Sequence, residues 1–303
     1  MKKTTNSFER PTPILMSSSC TVLANNSAIP DSGQLSYPFR KAVLIEEIRW
    51  DMTTPLVGPL TNLGSLVSTK LMLGDLYLMR DPVPVFILGT FMSLQAEQGS
   101  ELSPNGSLVS SHYRWRLPEP LYVEAGQVLS SWFTRGNDGV GAIDVQVSYV
   151  GKTVPPEQAR PKIIAVPYAA PWVTTLGNAY QQSNEFDLFN PFTNTLQVQR
   201  LTGRVTVNQQ TSLRAITPAP LFSSPVAINI TLLMNDSWGG KMVNNPTGPS
   251  DVFDILRGAW TVDTAMPPKG VYEIRAFNLT SGGTQPTPFQ LFVAVIGTRE
   301  EKL

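Results

Sequence analysis

His112 is the only histidine in the chain and Cys20 the only cysteine. A zinc site built from histidine or cysteine therefore lacks its other ligands, and hydrolysis through a Ser-His-Asp triad or a Cys-His pair is not expected. Glu46 and Glu47 are adjacent carboxylates. Glycoside hydrolysis needs two carboxylates flanking one bond, whereas neighbours on a strand point to opposite faces, so both read as ordinary surface and edge charges. No phosphate-binding loop ending in Gly-Lys-Ser/Thr occurs, and Gly239-Gly240 and Gly282-Gly283 read as turns. Asp236, Asp251 and Asp254 could supply oxygens to a structural calcium ion in a loop, the one cofactor worth weighing, although caps and turns use Asp routinely. The Asn-x-Ser/Thr triplets at Asn105, Asn229 and Asn278 matter only in a secreted protein. Trp132, Trp172, Trp238 and Trp260 could stack on sugar rings, but core packing is the more frequent fate of Trp in a sandwich. The chain is not expected to be an enzyme, and no catalytic, cofactor-binding or metal residue is assigned.

What remains is architecture. At 303 residues the chain exceeds what one core usually serves, which predicts two domains. Hydrophobic residues make up 42%, the share of an ordinary globular protein, but charged residues only 15%, well below the usual level. Low charge fits either a surface covered by other subunits or a β-rich protein with Ser, Thr, Asn and Gln on its solvent faces. The 23 basic and 23 acidic residues cancel and are scattered, so direct nucleic-acid binding is not expected. Lys2 and Lys3 are followed by polar residues, which does not make a signal peptide, and no segment approaches a membrane span. Synthesis in the cytoplasm of a host is the expectation.

The 26 prolines punctuate short apolar stretches and rule out long helices. Ile143, Val145, Val147 and Tyr149 alternate with Asp144, Gln146 and Ser148, which predicts a half-buried strand. Phe289, Leu291, Val293 and Val295 repeat the pattern. Further strands are expected at 42–51, 75–79, 85–91, 113–117, 128–134, 196–207, 226–234 and 272–279. A short helix is expected at 252–257, with Asp251 as N-cap and Gly258 after its end. The resulting division is an N-terminal arm at 1–37 carrying Cys20 as an incidental thiol, a first domain at 38–155, a Pro-rich connector at 156–185, a second domain at 186–298 and a tail at 299–303.

The two halves also resemble each other in order. Pro38-Phe39 and Pro191-Phe192 each precede a strand, and those strands carry Arg49 and Arg204. Trp115 and Trp260 precede Pro-containing approaches to Gly126 and Gly270, with Phe133 and Phe277 seven residues on. Gly151 and Gly297 then close the two alternating strands. This order predicts a duplication of an antiparallel sandwich of about seven or eight strands.

The run Trp115-Arg-Leu-Pro-Glu-Pro-Leu-Tyr-Val-Glu-Ala-Gly126-Gln-Val-Leu, with Trp132-Phe133-Thr134 and the strand closing at Gly151, looks like the second half of a viral jelly roll. Found twice, around a Pro-rich connector, it resembles the double jelly-roll major capsid proteins of tailless icosahedral viruses with an internal membrane, such as the tectivirus, corticovirus and finnlakevirus groups of bacteriophages. The resemblance covers roughly residues 38–298. It implies an all-β fold of two tandem antiparallel jelly-roll sandwiches and a structural protein of the virion. It further implies homotrimers in which six rolls make a pseudo-hexagonal capsomer of an icosahedral capsid. Partners would be other copies, penton or minor capsid proteins and the internal viral membrane. Two rival readings are a carbohydrate-binding β-sandwich module and a trimeric receptor-binding spike.

Overall fold

A computed structural model describes residues 11–24, 34–55, 63–79, 81–91, 101–102, 107–136, 140–154, 163–176, 186–190, 192–205, 209–216, 227–234, 241–242, 253–254, 259–269, 271–278 and 289–302. The first half runs β1 (Pro13–Val22), β2 (Gln34–Pro38), β3 (Val43–Pro55), β4 (Val67–Leu73), β5 (Leu76–Tyr77), β6 (Val83–Pro84), β7 (Thr90–Phe91), β8 (Glu101–Leu102), β9 (Leu108–Val123), β10 (Val128–Arg135) and β11 (Ile143–Thr153). The second half runs β12 (Ile163–Leu176), β13 (Phe186–Phe189), β14 (Leu196–Val205), β15 (Gln209–Ile216), β16 (Ala227–Met234), β17 (Lys241–Met242), β18 (Phe253–Asp254), β19 (Ala259–Met266), β20 (Val271–Asn278) and β21 (Phe289–Lys302).

Each half folds into two facing antiparallel sheets with the same permutation of strands. The first has the orders β1-β11-β3-β9-β7 and β2-β10-β4-β5; the second has β12-β21-β14-β19-β18 and β13-β20-β15-β16-β17. In both, one sheet unites the first, last, third and third-from-last strands, and the other unites the second, penultimate, fourth and fifth. That wrapping is the jelly roll.

The alternation on β11 suits its place inside the sheet, between β1 and β3, with one face on the core. Ile143, Val145, Val147 and Tyr149 are all buried, facing a core that includes Trp50 and Trp115, whose rings stack at 6.3 Å. The Tyr149 and Ser131 hydroxyls, 2.5 Å apart, satisfy each other inside that core. Arg135 closes one end of the roll by donating to the carbonyls of Val22, Val140 and Gly141. The corresponding side chains on β21, from Phe289 to Val295, lie outside the described residues.

The duplication is carried by a shared irregularity. On β3 the pairing with β11 skips Glu46, so that Gly151 lies opposite Ile45; on β14 the pairing with β21 skips Gln199, so that Gly297 lies opposite Val198. A bulge of one residue thus recurs at the same place in both rolls. Measured from it, Phe39 and Phe192 stand at one displacement, as do Ile48 opposite Trp115 and Leu201 opposite Trp260. Two of the expected correspondences slip. Arg49 matches Thr202 and not Arg204, because counting from Pro-Phe by similar distances ignored the register. The turn between β9 and β10 places Gly126 at φ +87°, and the equally long turn before β20 gives the left-handed position to Lys269 at φ +59°. Gly270, and with it Phe277, is therefore one residue out of step.

Several expected boundaries move. The arm at 1–37 contains β1, which pairs along its whole length with β11, and the connector at 156–185 contains β12, which pairs along its whole length with β21. Each is the edge strand that opens its roll. Pro167 and Pro171 are tolerated because β12 is hydrogen-bonded on one side only, so a missing N–H costs no ladder bond. The tail at 299–303 likewise continues β21 as far as Lys302. Val85–Leu88, expected to be strand, forms a single buried helical turn after Pro84; a short apolar run buried all round carries no period that separates the two. Of the helix expected at 252–257, Phe253–Asp254 instead pair with Trp260 and Ala259 as β18, and its other residues lie outside the described ones.

Candidate functional site

The feature that the topology builds and the sequence did not announce is a seam between the rolls. β12 lies against β9 and β6, and the Val85–Leu88 turn lies against β14 and β21. Ile164, Val166, Ala169 and Ile296 of the second roll join the same continuous buried apolar cluster as Val83, Phe86 and Ile87 of the first. The rolls are thus joined by a buried apolar seam, while Leu196, Val198 and Met266 of the second roll are buried outside that cluster.

Arg299 locks the seam. Its side chain is 1% exposed, its guanidinium lies 3.8 Å over the ring of Phe192, and Tyr168 meets that ring edge-on. Nη2 donates to the carbonyl of Tyr77 at 2.7 Å and Nη1 to that of Leu78 at 3.4 Å, both in the first roll, while Nε donates to Glu301 at 2.7 Å. Burial pulls the Arg299 pKa down, and the Glu301 carboxylate pulls it back. Arg299→Ala removes both carbonyl contacts and strands Glu301, at an expected cost of roughly 2–4 kcal/mol. Because the loss falls between the rolls, one cooperative urea transition should split into two; a single transition at the wild-type midpoint would show that the seam does not depend on Arg299.

On the outer face of the first sheet, Glu47 departs from the expectation of a surface charge. The bulge residue Glu46 is exposed and pairs with Lys152 at 2.7 Å, but the Glu47 side chain is 9% exposed, held by Arg49 at 2.6 Å with Arg114 and Arg116 at 3.6 and 3.5 Å. The signal was present as Glu47-x-Arg49 facing Arg114-x-Arg116 across β3 and β9, but it needed the pairing register. His112 and Asp51 form a neighbouring pair at 2.6 Å.

No reactive constellation forms among the described residues. No group of three His, Cys, Asp or Glu is placed to hold a metal. Asp236 and Asp251 of the weighed calcium set lie outside the described residues, as do Trp238, both glycine pairs and Asn105. A groove of about 900 Å³ at one end of the second roll is lined by Ile163, Thr193, Gln197, Arg299 and Glu300, with Glu119 from the first. The stacked Trp50 and Trp115 belong to the core, and the side chain of Trp132 is only partly exposed. No described helix is long and apolar enough to cross a membrane.

Cys20 is ordered on β1 opposite Val145, not loose in an arm. Burial, seconded by Asp144, pushes its thiol up to about 11. At pH 8 the thiolate is scarce, so iodoacetamide should label the native protein far more slowly than the unfolded chain, by about tenfold or more. Equal rates, read by intact mass, would contradict the pairing of β1.

No protein-family model matches the chain, and no curated protein matches its sequence. Its fold does have counterparts. The chain is similar to the crystal structure of the STIV MCP, with TM-score 0.53 and 11% identity over 96% of this chain and 97% of that one. It is also similar to PBCV-1 VP54, fitted into a cryo-EM reconstruction of the virophage Sputnik, with TM-score 0.50 and 8% identity over 96% and 95%. Both are double jelly-roll major capsid proteins of icosahedral viruses. At such identity the likeness is one of fold. In architecture, this chain is a double jelly-roll protein.

Proposed function

We propose that the chain is the major capsid protein of a tailless icosahedral virus, made in the host cytoplasm and assembled as homotrimers whose six rolls form a pseudo-hexagonal capsomer. One observation carries the reading: two rolls with the same bulge, glycine and strand order are joined through a buried apolar seam, so that one chain supplies two near-equivalent wedges of a ring. Three chains then close a ring of six by a single kind of contact, as closed symmetry favours. The low charge and the absence of net charge suit a surface that packs against copies of itself. The work is structural and not catalytic, and penton or minor capsid proteins and an internal membrane are the further partners the reading implies.

The test is the mass of the purified protein and its abundance in particles. Native mass spectrometry should give three times the 33.2 kDa chain mass, and the chain should be the dominant band of purified particles. A monomer with saturable glycan binding, or a band present in few copies per particle, would sink the reading.

A further inference from the structure

The duplication shows which surface a neighbouring copy must cover. The seam within one chain is heterologous: the first roll meets the β12 edge of the second through β9 and β6, at the end of its sheets away from β1. Among the described strands, each roll therefore keeps one edge that its twin has used, namely β1 on the first roll and the β18–β19 edge on the second.

The register makes the comparison residue by residue. Ile14 lies opposite Gly151 and Tyr168 opposite Gly297, so Pro13 corresponds to Pro167 and Leu15 to Ala169. On β12 these outward positions are covered, with Pro167 buried and Ala169 0% exposed in the shared cluster. On β1 the same positions are bare: Pro13 is exposed and Leu15 is 65% exposed, the most exposed large apolar side chain among the described residues. Further along that face come Ser17, Ser19 and Thr21, all exposed and none charged. Edge strands left in solvent are normally guarded by charge, and β1 has not one charged residue in Pro13–Val22.

We propose that the outward face of β1, centred on Pro13 and Leu15, is the seat for the β18–β19 edge of a second copy of this chain, repeating between molecules the contact that β12 and β9 make within one. The inference rests on the trimer reading and adds its surface. A contact of β1 with β1 would be isologous and stop at two copies; β1 with the β18–β19 edge of the second roll propagates in one direction and closes on itself.

Two measurements test it. Leu15→Asp places an uncompensated carboxylate in the contact, and the trimer should be lost to folded monomer in native mass spectrometry, with the circular dichroism spectrum and urea midpoint of the monomer intact. Hydrogen exchange on the wild-type protein needs no variant: peptides covering 13–21 should be protected in the trimer and exchange faster when dilution yields monomer, while those covering 143–153 stay unchanged. If the wild type is itself monomeric, the trimer reading fails. If it is a trimer and Leu15→Asp remains one, or 13–21 exchange alike in trimer and monomer, the trimer stands and the proposed surface is wrong. A dimer would overturn the head-to-tail contact specifically.

Discussion

Gly151→Ala should leave the first roll unable to close. The strand β11 passes the bulge on β3 so closely that a Cβ at Gly151 would overlap the carbonyl oxygen of Leu44, with the Leu44 carbonyl carbon at 2.9 Å and the Ile45 Cα at 3.0 Å. All three obstacles are backbone, so no rotamer change relieves them. The ladder between β3 and β11 must separate at the centre of the sheet, exposing carbonyls and N–H groups that have no other partners. The expected cost is more than about 3 kcal/mol, a large share of the stability of an ordinary domain. Gly297→Ala repeats the experiment in the second roll, where the Cβ would overlap the carbonyl oxygen of Gln197 and approach the Val198 Cα to 3.1 Å. Gly136→Ala meets nothing within 4 Å and should stay within about 0.5 kcal/mol of wild type. Urea denaturation of the three variants gives the comparison. Wild-type midpoints for Gly151→Ala and Gly297→Ala would mean that the bulge is not shared.

That pair of glycines was visible in the sequence as the end of two alternating strands, but its reason was not. A bulge depends on which residue of a distant strand is skipped, and nothing local to Glu46 or Gln199 marks it. Alternation was legible on β11 because one of its faces is core and the other is exposed at Asp144 and Gln146. It was illegible on β1, where the half-buried positions include Ser18 and Cys20, because an edge strand needs little apolar area to hold its place. β12 was hidden for the opposite reason: with Ile164, Val166, Pro167, Tyr168 and Ala169 all buried, both faces are covered and no period of two survives. The seam followed the same logic. Arg299 sits in Gly-Thr-Arg-Glu-Glu-Lys, a stretch that composition assigns to solvent, and only the approach of Tyr77 and Leu78 from the other roll makes a buried guanidinium sustainable there.

Val147→Asp tests the strand that carries the most of this argument. Val147 is 0% exposed, opposite Trp50 on β3 and Ser18 on β1, with Val145 and Tyr149 on the same face. The nearby hydroxyls of Tyr149 and Ser131 are already paired with each other, and the buried indole N–H groups of Trp50 and Trp115, which have no partner, are neutral donors that offset only part of the desolvation of a carboxylate. Burying an unpaired carboxylate should cost at least about 4 kcal/mol at neutral pH. Against a total of roughly 5–15 kcal/mol, little soluble protein should remain. The sign with pH follows from burial, which raises the folded-state pKa of the introduced carboxyl. Its penalty is then smallest below the unfolded value of about 3.9 and grows as pH rises, so the variant should lie closer to wild type at pH 4 than at pH 7. Val147→Asn, which cannot ionise, should show no such recovery relative to wild type. A soluble, trimeric Val147→Asp protein with wild-type stability at pH 7 would place this side chain on the opposite face. It would also reverse the register of β11 against β3, and with it the alignment of the two rolls.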